Sequence, residues 1–127
     1  MKNTLLIVED DLDTSEMLRV YFEAQGYRVI TAGGGREALE KCQAEAPDLI
    51  LLDVNMPAGS GPETQEALKS HEDLCDIPVI YITGESQTQI EEISQDLKPF
   101  AILRKPFEMD ELITKIQDAL EEFPPRR

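Results

Sequence analysis

The chain has 127 residues, enough for one domain with a single core, and its 41% hydrophobic and 30% charged residues are ordinary for a globular protein. A formal net charge of −14 repels phosphate backbones and anionic headgroups, which excludes direct binding to nucleic acid. No apolar run approaches the length of a membrane span, so membrane insertion is excluded too.

The start, Met1-Lys2-Asn3-Thr4, leads straight into Leu5-Leu6-Ile7-Val8, and acids follow at once. That run is too short for a signal-peptide core and lacks a cleavage site, so the expected location is the cytoplasm. Cys42 and Cys75 have no metal-ligand spacing and are expected as free thiols, with Cys42 on the apolar face of a helix. Leu5 to Val8 reads as a strand buried on both faces. Asp11 to Gln25 reads as a helix, with Asp13 and Glu16 placed to form a capping box and Gly26 as its stop. Arg28 to Ala32 is strand-like and Gly33-Gly34-Gly35 a turn. It is not a phosphate loop, because it lacks the lysine and hydroxyl signature. Arg36 to Ala46 sets Ala38, Leu39, Cys42 and Ala46 on one stripe, and Pro47 ends that helix.

Leu49 to Leu52 is the purest apolar run and stops at Asp53. A Pro/Gly loop, Asn55 to Gly61, follows, and Pro62 suits the first position of a helix reaching about Lys69. Pro78 to Ile82 is the fourth strand, Thr88 to Leu97 a fourth helix and Ala101 to Leu103 the fifth strand. Glu108 to Phe123 is the clearest helix, with Leu112, Ile113, Ile116, Ala119, Leu120 and Phe123 in register. Alternating strands and helices predict a doubly wound α/β fold, a parallel sheet covered by helices on both faces. Sites in such sheets form at the carboxyl ends of the strands.

The polar residues stand where the apolar runs stop. Glu9, Asp10 and Asp11 follow strand one, Asp53 strand three, Thr83-Gly84 strand four and Lys105-Pro106 strand five. Each alone reads as a helix cap, a strand end or a turn. Brought to one rim, they make a chemical set. Close carboxylates repel and need a cation, and all-oxygen ligands without His or thiolate favour Mg²⁺. A carboxylate can accept a phosphoryl group when metal and a cationic side chain neutralise the phosphoryl oxygens. Asp53 is the candidate acceptor, Lys105 the cation and Thr83 a hydroxyl donor.

Over residues 4 to about 121 the sequence resembles the receiver domain of response regulators, the phospho-accepting module of two-component signalling. The resemblance is carried by Val8-Glu9-Asp10, Leu52-Asp53, Met56-Pro57, Gly61, Thr83-Gly84 and Lys105-Pro106-Phe107. Thr83 lies thirty residues after Asp53, and Lys105 fifty-two, both typical of that family. The resemblance implies a five-stranded parallel sheet of order 2-1-3-4-5 in a flavodoxin-like fold. The receiver domain would span residues 1–121, with 122–127 a tail or linker stub.

The resemblance also implies roles. Asp53 would take the phosphoryl group from a phosphohistidine on a histidine kinase or histidine phosphotransfer protein. Asp10, Asp53 and the Asn55 carbonyl would ligate Mg²⁺, with Glu9 acting through metal-bound water. Thr83, Gly84, Lys105 and Pro106 would form the phosphoryl-binding and switch segment, with a cis Lys105–Pro106 bond. Asn55 and Glu85 flank the path of the hydrolytic water, and polar residues at both resemble regulators with a short-lived phosphorylated state. A downstream effector would read the face made by the fourth helix, the fifth strand and the last helix.

The chain departs from the pattern at Ile102, where receivers usually carry Tyr or Phe. Ile is stiff at χ1, so switching through an aromatic swing is not expected. Phe100 is two residues earlier, on the same side of the strand by alternation, and does not occupy the family position. Two other functions compete with the switch, which is not expected to be an enzyme. A degenerate receiver would bind a partner without phosphorylation. A Mg²⁺-dependent phosphohydrolase would need a second acid two residues after its nucleophile, where this chain has Asn55.

Overall fold

The computed structural model describes residues 3–54, 66–71, 74, 76–84 and 99–124. The elements are β1 (Thr4–Val8), α1 (Leu12–Ala24), β2 (Arg28–Ala32), α2 (Gly35–Glu45), β3 (Leu49–Asp53), β4 (Val79–Thr83), β5 (Ala101–Arg104) and α3 (Met109–Glu122). Residues 66–69 are also helical. The Asn55–Gly61 loop and the helix predicted over Thr88–Leu97 lie outside the described residues, as does Cys75.

The strands pair in the order β2-β1-β3-β4-β5, and every pair is parallel. This is the doubly wound sheet that the alternating pattern predicts. Side chains of a strand alternate between faces, and the core divides accordingly. Leu5, Ile7, Leu49, Leu51, Ile80, Ile82 and Leu103 pack with Leu18 and Phe22 of α1 and with Leu112, Ile116, Ala119 and Leu120 of α3. Leu6, Val8, Ile50, Leu52, Val79 and Tyr81 pack on the other face with Ala38 and Cys42 of α2 and with Leu68 and Leu74. Strands buried on both sides are apolar through most of their length, which is why residues 5–8 of β1 and 49–52 of β3 read as unbroken apolar runs.

The helix ends differ from expectation in two places. Asp11 caps α1: its backbone is extended, its carboxylate accepts from the Asp13 amide at 3.2 Å, and the Thr14 hydroxyl donates to it at 2.6 Å. The Asp13–Glu16 capping box does not form. Asp13 is already inside the first turn, and Glu16 instead accepts from Arg19 Nε at 3.0 Å. The second concerns Ala46, expected on the apolar stripe of α2: the helix ends at Glu45, and Ala46 is exposed in the left-handed region, with φ 39°. Pro47 disfavours helical backbone at the residue before it, and the chain turns there despite the Cβ.

At the other end of α2, Gly33 N–H donates to the Glu37 carboxylate at 2.7 Å, so the triple glycine is a turn leading into the helix. Phe100 also departs from expectation. It packs with the α1 and α3 cluster and stacks edge-on against Phe123, with ring centroids 6.1 Å apart. β5 begins at Ala101, so strand alternation does not extend back to Phe100.

Candidate functional site

Register explains how the acids meet. Val8 of β1 is level with Leu52 of β3, so Glu9 and Asp53 leave the sheet at the same height. Asp53 is level with Ile82 of β4, and Thr83 with Arg104 of β5, which puts Lys105 just beyond Thr83. Alternation supplies the direction. Ile7 and Leu51 face α1 and α3, so Glu9 and Asp53, two residues further on, turn to the same side.

Glu9, Asp10 and Asp53 form a cluster whose nearest carboxylate oxygens all lie within 4.8 Å of one another. Glu9 and Asp53 are buried and Asp10 is exposed. Lys105 reaches both buried acids, with Nζ 3.7 Å from Glu9 Oε1 and 3.6 Å from Asp53 Oδ2. Its position is held by the Lys105 amide, which donates to the Thr83 carbonyl at 2.7 Å, and the Lys105–Pro106 bond that follows is cis. Thr83 is fully buried at the end of β4. Gly84 beside it is exposed, and a Cβ there would meet open space.

Burial drives the electrostatics. The Glu9 carboxyl is pushed up to about 8, first by desolvation and then by Asp53, to which a protonated Glu9 can donate; Lys105 opposes the shift. As a carboxylate, Glu9 keeps one oxygen, Oε2, buried with no hydrogen-bond donor among the described residues. Asp11 is held below the usual carboxylate range, mainly by the Thr14 hydroxyl. It is a helix cap, as an isolated acid at that position would suggest. Cys42 is fully buried and its thiol is raised to about 12, which makes it inert packing.

Oxygen-only donors, an excess of negative charge and a buried oxygen lacking a donor together fit a hard divalent cation held by Glu9, Asp10 and Asp53. The structure thus brings together Glu9, Asp10, Asp53, Thr83 and Lys105 at one rim. Asn55 and Glu85 lie outside the described residues. Ile102 stands apart, 37% exposed and outside both core clusters. His71 is half-buried in the turn after the 66–69 helical segment, where its amide donates to the Leu68 carbonyl at 3.1 Å.

The response regulator receiver domain family model matches residues 5–117. This chain is a member of the response regulator receiver domain family. The receiver is 35% identical over 120 residues to the polar-differentiation response regulator DivK of Brucella ovis, covering 94% of this chain and 98% of that protein. It is 33% identical over 120 residues to the probable transcriptional regulator ycf29 of Pyropia yezoensis, covering 94% of this chain but spanning only about half, 54%, of that protein.

Among solved structures, the chemotaxis protein CheY4 of Vibrio cholerae superposes with a TM-score of 0.88 at 30% identity, covering 94% of this receiver and all of that chain. The receiver domain of a sensor histidine kinase from Pseudomonas aeruginosa, solved with magnesium coordinated in its active-site cleft, shares the fold. Its TM-score is 0.87 at 23% identity, covering 95% of this receiver and 99% of that chain. Among the described residues no helix is long and apolar enough to cross a membrane.

Two features of this receiver's site were not legible in the sequence. One is the position of Lys105 between Glu9 and Asp53, which depends on the β4–β5 register. The other is a cleft of about 430 Å³ that opens beside the acids on the α1 and α3 side. No local sequence signal marks it, because its walls come from β1, α1, β3, β4 and the segment from Lys105 to Met109.

Proposed function

We propose that the protein is a phosphorylation switch in which Asp53 accepts a phosphoryl group from a phosphohistidine on a histidine kinase or histidine phosphotransfer protein. The observation that carries this reading is the buried Asp53 carboxylate at the end of β3, 3.6 Å from Lys105 Nζ and clustered with Glu9 and Asp10. One Asp53 oxygen attacks phosphorus as the bond to the imidazole nitrogen of the donor breaks. Lys105 then shifts from the carboxylates to the incoming phosphoryl oxygens, and the Thr83 hydroxyl donates to them.

Glu9, Asp10 and Asp53 would hold Mg²⁺, as the magnesium-bound Pseudomonas receiver suggests. When bound, Mg²⁺ neutralises charge on the phosphoryl oxygens. Asn55 and Glu85 tune the lifetime of the acyl phosphate, and polar residues at both favour a short one. An adduct persisting for many hours would contradict that part of the reading.

The phosphorylated state shifts a pre-existing equilibrium, and an effector protein reads it on the face of the fourth predicted helix, β5 and α3. Because Ile102 is stiff and partly exposed, the shift travels through the backbone around Thr83 and Lys105 rather than through an aromatic swing. The reading places the protein in the cytoplasm and gives it no turnover chemistry beyond loss of its own phosphate.

The test is incubation with Mg²⁺ and acetyl phosphate, read by intact mass. One labile phosphate is expected on the wild type and none on Asp53→Asn. No adduct on the wild type leaves a phosphorylation-independent binding module. Catalytic turnover of phosphate esters would instead indicate a hydrolase.

A further inference from the structure

The cleft beside Asp53 has two unlike ends. Its polar end is Glu9, Asp53 and Lys105, the groups of the acceptor site. Its remaining walls are almost wholly apolar. Met17 and Leu18 of α1 stand on one side, and Phe107 and Met109, leading into α3, on the other. Its volume of about 430 Å³ lies within the range of small-molecule sites. The sheet supplies the floor: Ile7, Leu51 and Ile82 all face α1 and α3 by alternation, and the acids emerge directly above them. Helix packing closes the floor lower down, where Leu18 and Phe22 of α1 meet the core. Nearer the acids, Met17 lines the cleft and is 58% exposed.

With a divalent cation on the acids, a molecule matching this cleft has an anionic phosphoryl group at one end and an apolar body at the other. We propose that the cleft is a leaving-group subsite that selects small acyl phosphates with apolar acyl groups, such as an aromatic acyl phosphate, as direct phosphoryl donors to Asp53. The inference rests on Asp53 being the acceptor, and adds that this chain discriminates among small donors by the body of the leaving group.

The step balances without a further reactant. A carboxylate oxygen of Asp53 forms a bond to phosphorus while the bond between phosphorus and the acyl oxygen breaks. The acyl oxygen departs with the electron pair as a carboxylate. No proton or electron needs to be supplied. Lys105 stays with the phosphoryl oxygens, and the apolar body lies between Met17 and Met109, which are long, unbranched and able to adjust to it. Acetyl phosphate has only a methyl group to place there and leaves the cleft to water.

The test compares benzoyl phosphate with acetyl phosphate as donors to the full chain in Mg²⁺, followed by intact mass. Each rate is divided by that donor's own hydrolysis rate in the same buffer, to remove intrinsic reactivity. Hydrophobic pockets discriminate single methylenes by about tenfold or more, so the normalised rate with benzoyl phosphate is expected to exceed that with acetyl phosphate by at least about tenfold.

Met17→Gln removes an apolar wall at an exposed position without threatening the core, and is expected to lower the benzoyl-to-acetyl ratio severalfold. Val20→Gln, on the same helix but off the cleft, is expected to leave the ratio alone. Equal normalised rates, or a ratio that Met17→Gln does not move, overturn the subsite while leaving Asp53 as acceptor. Absence of label from both donors overturns the acceptor reading and the subsite together.

Discussion

Replacing Asp53 with Asn should make the metal-free protein more stable, although it removes an ion pair with Lys105. Asp53 is buried, and its carboxylate sits within 4.8 Å of those of Glu9 and Asp10. Above about pH 8, where Glu9 is ionised as well, each fully charged pair at that distance costs about 3.5 kcal/mol at an effective dielectric constant of about 20, and less for the exposed Asp10. Desolvation of the buried charge adds to this. The attraction to Lys105 at 3.6 Å is about 4.6 kcal/mol by the same measure, but Lys105 is 41% exposed, which screens it.

The substitution does not strand Lys105 either, because Glu9 remains 3.7 Å away. Glu9 also ionises more easily once Asp53 is neutral, because two of the causes raising its pKa act through Asp53. The net expectation is a gain of about 1–2 kcal/mol, or roughly 4–8 °C in Tm for a chain of this size. Mg²⁺ should narrow that difference. At ten times its dissociation constant it stabilises the wild type by about 1.4 kcal/mol, and Asp53→Asn by much less. The assay is thermal melting by circular dichroism at about pH 9, where all three carboxylates are ionised, in EDTA and across a Mg²⁺ titration. A variant that is less stable in EDTA and gains as much from Mg²⁺ as the wild type would refute the reasoning, because the carboxylates would then not be repelling one another.

Further predictions concern pH and helix ends. Glu9 is raised to about 8 in the folded state from an ordinary 4.5, so between those values the folded protein binds more protons than the unfolded one. Metal-free stability therefore falls as pH rises from about 5 to about 8, by roughly 2–4 kcal/mol, and levels above. Urea denaturation in EDTA across that range checks this, and Glu9→Gln should flatten the slope. Ala46→Gly should stabilise by about 1 kcal/mol, because Gly adopts the left-handed conformation at φ 39° without a Cβ penalty; the shift in urea midpoint measures it. Asp11→Ala removes the acceptor of both the Asp13 amide and the Thr14 hydroxyl, and should lower the urea midpoint in the same assay.

The fold was readable where a residue's pattern reflects its own surroundings. β1 and β3 are buried on both faces, and unbroken runs of Leu, Ile and Val say so without any tertiary knowledge. The clear stripe of α3 is buried at Leu112, Ile116, Ala119 and Leu120. Glu9, Asp10, Asp53, Thr83 and Lys105 were visible as polar residues closing apolar runs, because a parallel sheet gathers all its carboxyl ends on one edge.

What was missed depends on competition or on distant partners. Asp11 takes the cap of α1 from Asp13, because the helix begins as soon as the chain clears the acidic rim. Phe100 looked like a strand residue beside Ile102, but β5 starts after it, and its packing is set by α3 and Phe123. Ala46 carries no sign of a left-handed backbone, since Gly or Asn would be the usual signal. The apolar cleft is assembled from widely separated segments, and no window of sequence contains it.

Peptide mapping after borohydride reduction tests the central claim most directly. Reduction converts an aspartyl phosphate to homoserine at the residue that carried it. After treatment with acetyl phosphate and Mg²⁺, the account predicts conversion of Asp53 alone, lost when EDTA replaces Mg²⁺ and absent from Asp53→Asn. Conversion at Asp10 or at another acid, or no conversion in a protein shown to be folded, would contradict it.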